Sequence, residues 1–309
     1  MNIYEQIAHN RRMTWLVVSL FVIFFLFIGA MFDMLYTGIP FFSVIALLTA
    51  GFSSFMSYRY GDKMVLASCG AHPLDLDDPA QRQWQNVVEE MSIAAGLPVP
   101  ATFIIDEEDP NAFATGRGPG HSSIAVTRGL LARLNREEQQ AVAGHEMSHI
   151  MNYDIRLMLI ISSLVGAVAL ISDWANRSLF RSRRRSSSGS DSSYSIIILA
   201  IWLITAVLAP FVSRVLAMLV SRAREYLADA SGARITRNPL ALASALEKIE
   251  MAVKPTTSGN HGHAHLWIVD PRGSNMGMRQ GRVADLFATH PPIELRIAAL
   301  KKMAYEPSG

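Results

Sequence analysis

Asn135-Arg-Glu-Glu-Gln-Gln-Ala-Val-Ala-Gly-His-Glu-Met-Ser-His-Ile-Met-Asn152 reads as one helix. Asn135 is suited to the N-cap, and Glu137 and Glu138 place negative charge in the first turn, where the helix dipole favours it. His145 and His149 stand four residues apart, so both rings lie on one side of the helix, one turn above the other. Two imidazoles so placed can reach a single zinc ion at about 2.0–2.1 Å. Glu146 sits beside the first ligand and is angled to meet a water held by the metal, whose proton it can accept. This is the chemistry attached to H-E-x-x-H: water activated against a peptide carbonyl.

A catalytic zinc site needs a third protein ligand and an open position. The subclass with a further histidine six residues on is excluded, because Ile155 stands there. A glutamate on a later helix is the alternative. Glu225, in Arg222-Ala-Arg-Glu-Tyr-Leu-Ala-Asp229, is the candidate, with Asp229 on the same face one turn later. Asp229 can accept the free ring N–H of a metal-bound histidine. The competing reading is a charged helix face paired with Arg222 and Arg224.

The rest of the chain divides by hydropathy. Half of its 309 residues are hydrophobic and 17% are charged, below the roughly one quarter usual for soluble domains; part of the chain is therefore expected in lipid. The net charge of +2 gives no ground for a nucleic-acid partner. The single cysteine, Cys69, excludes an intrachain disulfide. Residues 14–32 and 39–56 are apolar runs suited to a membrane hairpin; a second apolar run so soon after the first argues against a cleaved signal peptide. Arg11 and Arg12 precede the hairpin, Arg59 and Lys63 follow it, and the link holds no basic residue, so both ends are expected in the cytoplasm.

Residues 64–156 read as the first part of a soluble zinc-peptidase domain. Gln81–Ala95 carries Trp84, Val87, Val88 and Met91 at helical spacing, ended by Gly96-Leu97-Pro98. Thr102–Ile105 and Ser122–Thr127 are strand-like, and Asn111–Gly120 reads as a strand entering a turn. Residues 157–212 hold two more apolar runs, Leu157–Ile171 and Ser195–Val212, around a serine-rich loop with five arginines. This pair either crosses the membrane against the positive-inside tendency or lies re-entrant or interfacial. The basic stretch Arg181–Arg185 is either a contact for anionic lipid headgroups or a solvated loop. Residues 213–309 form the second part of the soluble domain, with helices around Arg222–Ala230, Leu240–Val253 and Ile293–Met303. Residues 254–282 are loop-rich, with a short β-type run at Leu266–Val269. His261, His263 and His265 fall in that loop and read as solvated rather than metal-binding, since no carboxylate is near.

The spacing His145-Glu-x-x-His149, the later Glu225-x-x-x-Asp229, two N-terminal spans, and His290-Pro followed by Arg296 together resemble the HtpX-like membrane zinc metallopeptidases, gluzincins related to the CAAX prenyl endopeptidases. The resemblance covers nearly the whole chain. It implies an α+β, mostly helical fold with a small sheet, one Zn2+ per chain held by His145, His149 and Glu225, Glu146 as general base, and Asp229 behind the ligands. It implies residence in the cytoplasmic membrane with the catalytic domain facing the cytoplasm, protein substrates that include misfolded or damaged membrane proteins, and contact with the lipid bilayer. Asn111-Ala112-Phe113 resembles the thermolysin-like edge strand that pairs with extended substrate through main-chain hydrogen bonds; the alternative is an ordinary loop. His290 reads either as an oxyanion or substrate contact or as a cap on the last helix, with Arg296 in a structural ion pair.

Two other readings share the motif. An intramembrane zinc peptidase would place it inside an apolar span, whereas here it follows a polar helix start. A zinc-binding scaffold or chaperone would not need Glu146. A segment near the site, within 254–282, is expected to cover it at rest.

Overall fold

The computed structural model describes residues 3–34, 38–161, 222–252, 267–268 and 291–305. The two N-terminal apolar runs form helices α1 (Ile3–Phe32) and α2 (Phe41–Ser68), each long and apolar enough to cross a membrane. Their side chains mostly face outward: Trp15, Phe27, Leu48 and Phe52 are each about two-thirds exposed or more. Such a surface on a soluble protein would carry a large solvation penalty, whereas in hydrocarbon it carries none. The link carries its own cap. Asp33, at the end of an otherwise uncharged run, is buried and accepts hydrogen bonds from the backbone N–H groups of Phe42 (2.6 Å) and Ser43 (3.0 Å). These are first-turn donors of α2 that have no partner within the helix.

Helix α2 runs well past the predicted span. Its last turns leave the apolar stretch, and Val65 and Leu66 pack against Ile105, Phe113 and Ala125 of the sheet. That sheet has four strands, β1 (His72–Pro73), β2 (Ala101–Ile105), β3 (Ala112–Gly118) and β4 (His121–Thr127), in the order β1-β2-β4-β3. Strands β3 and β4 form an antiparallel hairpin, and β2 lies parallel to β4. Strand β3 is therefore an edge.

Helices cover the other face. Helix α3 (Pro79–Ala95) is capped by Asp78, whose side chain accepts from the Ala80 N–H, and closed by Gly96 in the left-handed region at φ 67°. Trp84, Val87, Val88 and Met91 are its buried stripe, as their spacing predicts. Helix α4 (Arg128–Arg133) follows β4, and α5 (Arg136–Met151) carries the histidine motif. Then come α6 (Arg222–Thr236), α7 (Pro239–Ala252) and α8 (Ile293–Tyr305). One core joins Trp84 and Met91 of α3, Ile104 and Ile124 of the sheet, Val142 and Ile150 of α5, Leu246 of α7 and Leu300 of α8. Each such side chain contributes about 1.5–3 kcal/mol on burial.

At the start of α5 the Asn135 side chain accepts from the Glu138 N–H (3.0 Å) while Glu138 accepts from the Asn135 N–H (2.9 Å). This reciprocal box was half-visible in the sequence. Glu138 also binds Ser244 and Lys248 on α7, so it fixes the helix and its neighbour together. Of the second apolar hairpin, residues 157–161 are helical and buried, with Leu157, Ile160 and Ile161 against Val17 of α1; 162–212 lie outside the described residues, as does the basic loop.

Candidate active site

Helices α5 and α6 cross at two glycines. A Cβ added to Gly232 would come within 2.8 Å of the His145 backbone N, and one on Gly144 within 3.1 Å of Thr236 Cγ2. Only the missing side chains let the backbones meet this closely. The crossing brings Glu225 of α6 to the histidine face of α5. Gly232→Val is therefore expected to push α6 away from His145. Overpacking of this kind costs about 1–3 kcal/mol; the expected result is a lower melting temperature and a protein that no longer retains metal through purification, measured by thermal unfolding and elemental analysis.

The ligand atoms converge. Nε2 of His145 and Nε2 of His149 are 3.2 Å apart. Two nitrogens held tetrahedrally at about 2.0–2.1 Å from one zinc would stand about 3.3 Å apart, so the pair fits a shared ion. Glu225 completes the set: Oε2 lies 3.9 Å from His145 Nε2 and Oε1 lies 3.7 Å from His149 Nε2. Donor atoms of His145, His149 and Glu225 all lie within 4.8 Å of one another. Two nitrogens and a carboxylate oxygen are a donor set suited to zinc.

Each ring is held from behind. His145 Nδ1 lies 3.0 Å from Asp229 Oδ1, and His149 Nδ1 lies 3.0 Å from Asp154 Oδ2. A carboxylate at Nδ1 favours the tautomer whose Nε2 lone pair points into the site. Asp229 was legible in the sequence, whereas Asp154 was not singled out. It stands beyond the end of α5, just after a turn in which Tyr153 adopts φ 60°. The visible signal was an acidic residue five positions after the second histidine. Burial disfavours a protonated His149, but the hydrogen bond to Asp154 and the negative charges of Glu225 and Asp154 outweigh it and raise its pKa to about 9.

Arg296 reaches the site from α8 and is fully buried. Its Nε donates to Asp229 Oδ2 (2.8 Å), its Nη2 to Asp229 Oδ1 (2.7 Å) and its Nη1 to the Ile268 carbonyl (3.0 Å), while Nη1 also stands 3.5 Å from Glu225 Oε2. This is the structural ion pair anticipated as one reading. His290 lies outside the described residues. The alternative of an external charged face for Glu225 and Asp229 does not hold: both are 2–3% exposed, and Arg224 is turned to Asp154 instead, its Nε 3.0 Å from Oδ1.

Glu146 is buried in the same cleft. Burial pushes its carboxyl above the ordinary range, while the positive character of His145 and His149 and the Ala114 backbone N–H pull the other way. The cleft is lined by Ala114, His145, Glu146, Glu225, Trp267 and Ile268, among others. Ala112 and Phe113 begin the edge strand β3 beside it, with Asn111 immediately before them, but that edge is covered at Ala112. The Ile268 N–H donates to the Ala112 carbonyl (3.0 Å), and the Trp267 ring packs edge-on to Phe113 at 4.8 Å. The stretch is thus an edge strand rather than an ordinary loop, and its edge is partly occupied. His261, His263 and His265 lie outside the described residues.

Comparison with known proteins agrees with this arrangement. The model for Peptidase family M48 matches residues 79–304. The Protease HtpX homolog of Dictyoglomus turgidum is 41% identical over 309 residues, covering 97% of this chain and 94% of its own. That of Levilactobacillus brevis is 40% identical over 308 residues, covering 97% of this chain and 100% of its own. Among solved structures, the crystal structure of S. mikatae Ste24p aligns with a TM-score of 0.51 at 18% identity, covering 96% of this chain and 67% of that one; at that identity the likeness speaks for the fold alone. The family match runs from α3 through α8, across every helix that supplies the cleft, and the relatives extend it over α1 and α2: the chain belongs to peptidase family M48 and is a membrane metallopeptidase.

Proposed function

We propose that the protein is a zinc-dependent endopeptidase of the cytoplasmic membrane that cuts misfolded or damaged membrane proteins from the cytoplasmic side. The observation that carries this reading is the buried cluster of His145, His149 and Glu225 with Glu146 in the same cleft. A zinc ion bound there would polarise the scissile carbonyl and acidify a water. The chain's own residues supply the rest. Asp229 and Asp154 orient the two imidazoles. Glu146, held by the Ala114 N–H and raised by burial, accepts a proton from the attacking water and returns it to the leaving amine. A base raised toward neutral pH serves both steps better than an ordinary carboxylate. Strand β3 offers main-chain groups to an extended peptide without reading its sequence, which suits varied unfolded segments.

The orientation rests on Arg11, Arg12, Arg59 and Lys63 flanking the α1–α2 hairpin. An intramembrane enzyme is disfavoured, because α5 starts with a polar capping box and packs inside the α3, α7 and sheet core rather than in an apolar span. A metal-holding scaffold is disfavoured by Glu146, since a site that only holds a metal has no need of a base beside it. The reading is tested in vesicles reconstituted with the protein and a destabilised multi-span membrane protein. Cleavage is expected in the substrate's cytoplasmic-type loops, and a stable, folded version of the same substrate should survive. Equal cleavage of both, or cuts confined to the apolar spans, would remove the quality-control reading.

Trp267 and Ile268 bear on the resting state. They occupy the β3 edge at the position where a substrate strand would pair. Ile268→Pro deletes the N–H bonded to Ala112, and with Trp267→Ala it should free the edge. The double variant is expected to cleave an unfolded protein several-fold faster than wild type in initial-rate assays. Slower or unchanged cleavage by a folded variant would show that the pair forms a wall of the substrate site.

A further inference from the structure

Asn10 is out of character for α1. It stands near the start of an apolar helix whose side chains mostly face outward, yet it is 1% exposed. Its amide is fully engaged. Nδ2 donates to Asp154 Oδ1 (2.6 Å) and to the Asn152 carbonyl (2.9 Å), and Oδ1 accepts from Arg224 Nη2 (3.2 Å). Arg224 in turn lies against Asp154, and Asp154 holds His149 Nδ1. One amide from the first membrane helix thus joins the end of α5, the carboxylate behind a histidine of the cleft, and the arginine preceding Glu225 on α6.

We propose that Asn10 is a positioning residue for the metal site: it fixes Asp154, and through Asp154 the His149 ring, so that α1 is part of the metal centre's support as well as an anchor. Three features favour this over simple packing. Asp154 has two oxygens: Oδ1 accepts from Asn10, with Arg224 Nε 3.0 Å away, and Oδ2 is directed at His149. Loss of the amide leaves Oδ1 to the Arg224 guanidinium alone, so the carboxylate is free to turn toward it and draw Oδ2 away from His149. The contact spans 144 residues of sequence, and so it depends on α1 being seated against the peptidase body. Polar partners one shell behind metal ligands typically change metal affinity about 10–100-fold when removed.

The inference rests on His149 being a metal ligand. The test is zinc affinity of the full-length, detergent-solubilised protein, measured by competition with a chromogenic chelator, together with the visible spectrum of the Co2+-substituted form. Asn10→Ala and the isosteric Asn10→Asp, which keeps the volume but loses the donor to Asp154, are compared with wild type, Asp154→Asn and the outward-facing Ile23→Ala. Asp154→Asn is expected to bind zinc about 10–100-fold more weakly, and both Asn10 variants, which act through Asp154, to bind it several-fold more weakly and to shift the Co2+ bands. Ile23→Ala should match wild type. In the double variant Asn10→Ala/Asp154→Asn the losses should fall well short of additive. Asn10 variants that bind zinc within twofold of wild type with unchanged Co2+ bands would overturn the proposal, as would fully additive losses. A wild type that binds no zinc would instead overturn the ligand assignment on which it stands.

Discussion

Glu146→Gln is expected to hold zinc as wild type does and to cleave an unfolded protein about 10²–10⁴-fold more slowly. The amide keeps the shape of the side chain and can still meet the Ala114 region, but it cannot accept a proton. Because His145, His149 and Glu225 are untouched, elemental analysis should find unchanged metal content. Cleavage is read as initial rates at saturating substrate, so that the loss appears in kcat. Retained activity in this variant would mean that another group takes the proton. Loss of zinc would mean that Glu146 is a ligand rather than a base.

Arg296→Met is expected to be the most destabilising substitution at the site. It removes the partner of Asp229 and leaves a carboxylate buried with its charge uncompensated, a change that costs about 3–5 kcal/mol. The variant should unfold at lower temperature and bind zinc more weakly, since Asp229 supports His145 and Arg296 also faces Glu225. The effect has a pH signature. Burial pushes the Asp229 carboxyl up, and the charge and hydrogen bonds of Arg296 overcome this and bring it down to about 2. A carboxyl depressed below its unfolded value of about 3.9 stabilises the fold fully above that pH and loses its contribution as pH falls through the folded value. In the variant Arg296 no longer opposes the upward push of burial on Asp229, so the stability gap between wild type and Arg296→Met should be widest near neutral pH and narrow as pH falls toward about 2, as followed by chemical denaturation of metal-free protein. A gap that does not change with pH would show that Arg296 acts through packing alone.

The candidate site was legible because its residues follow helical arithmetic. His145, Glu146 and His149 share a helix whose start is written in Asn135 and Glu138, and Glu225 and Asp229 lie one turn apart on another. Trp84, Val87, Val88 and Met91 announced the buried face of α3 in the same way. What the sequence concealed depends on long-range placement. Nothing local says that Gly144 and Gly232 face each other, although that crossing is what carries Glu225 to the histidines. Asp154 was not singled out: it follows the helix end, and nothing local announces the left-handed turn at Tyr153 that precedes it. Asn10 was not singled out either, because its partners lie more than 140 residues away in sequence. The edge strand at Asn111–Phe113 was recognisable, but its cover by Trp267 and Ile268 requires knowing which loop comes to rest on it. Helix α2 outran its apolar stretch because apolar residues such as Val65 and Leu66 give its last turns a face that packs onto the sheet after the membrane run has ended.

The measurement that tests the central claim most directly is cleavage of an unfolded protein by the purified, detergent-solubilised wild type, first stripped with a chelator and then given one equivalent of zinc, with Glu146→Gln treated identically. The account predicts no cleavage after stripping, recovery at one zinc per chain, and no recovery by the variant. Cleavage that survives complete removal of metal, or that returns equally in Glu146→Gln, would contradict it.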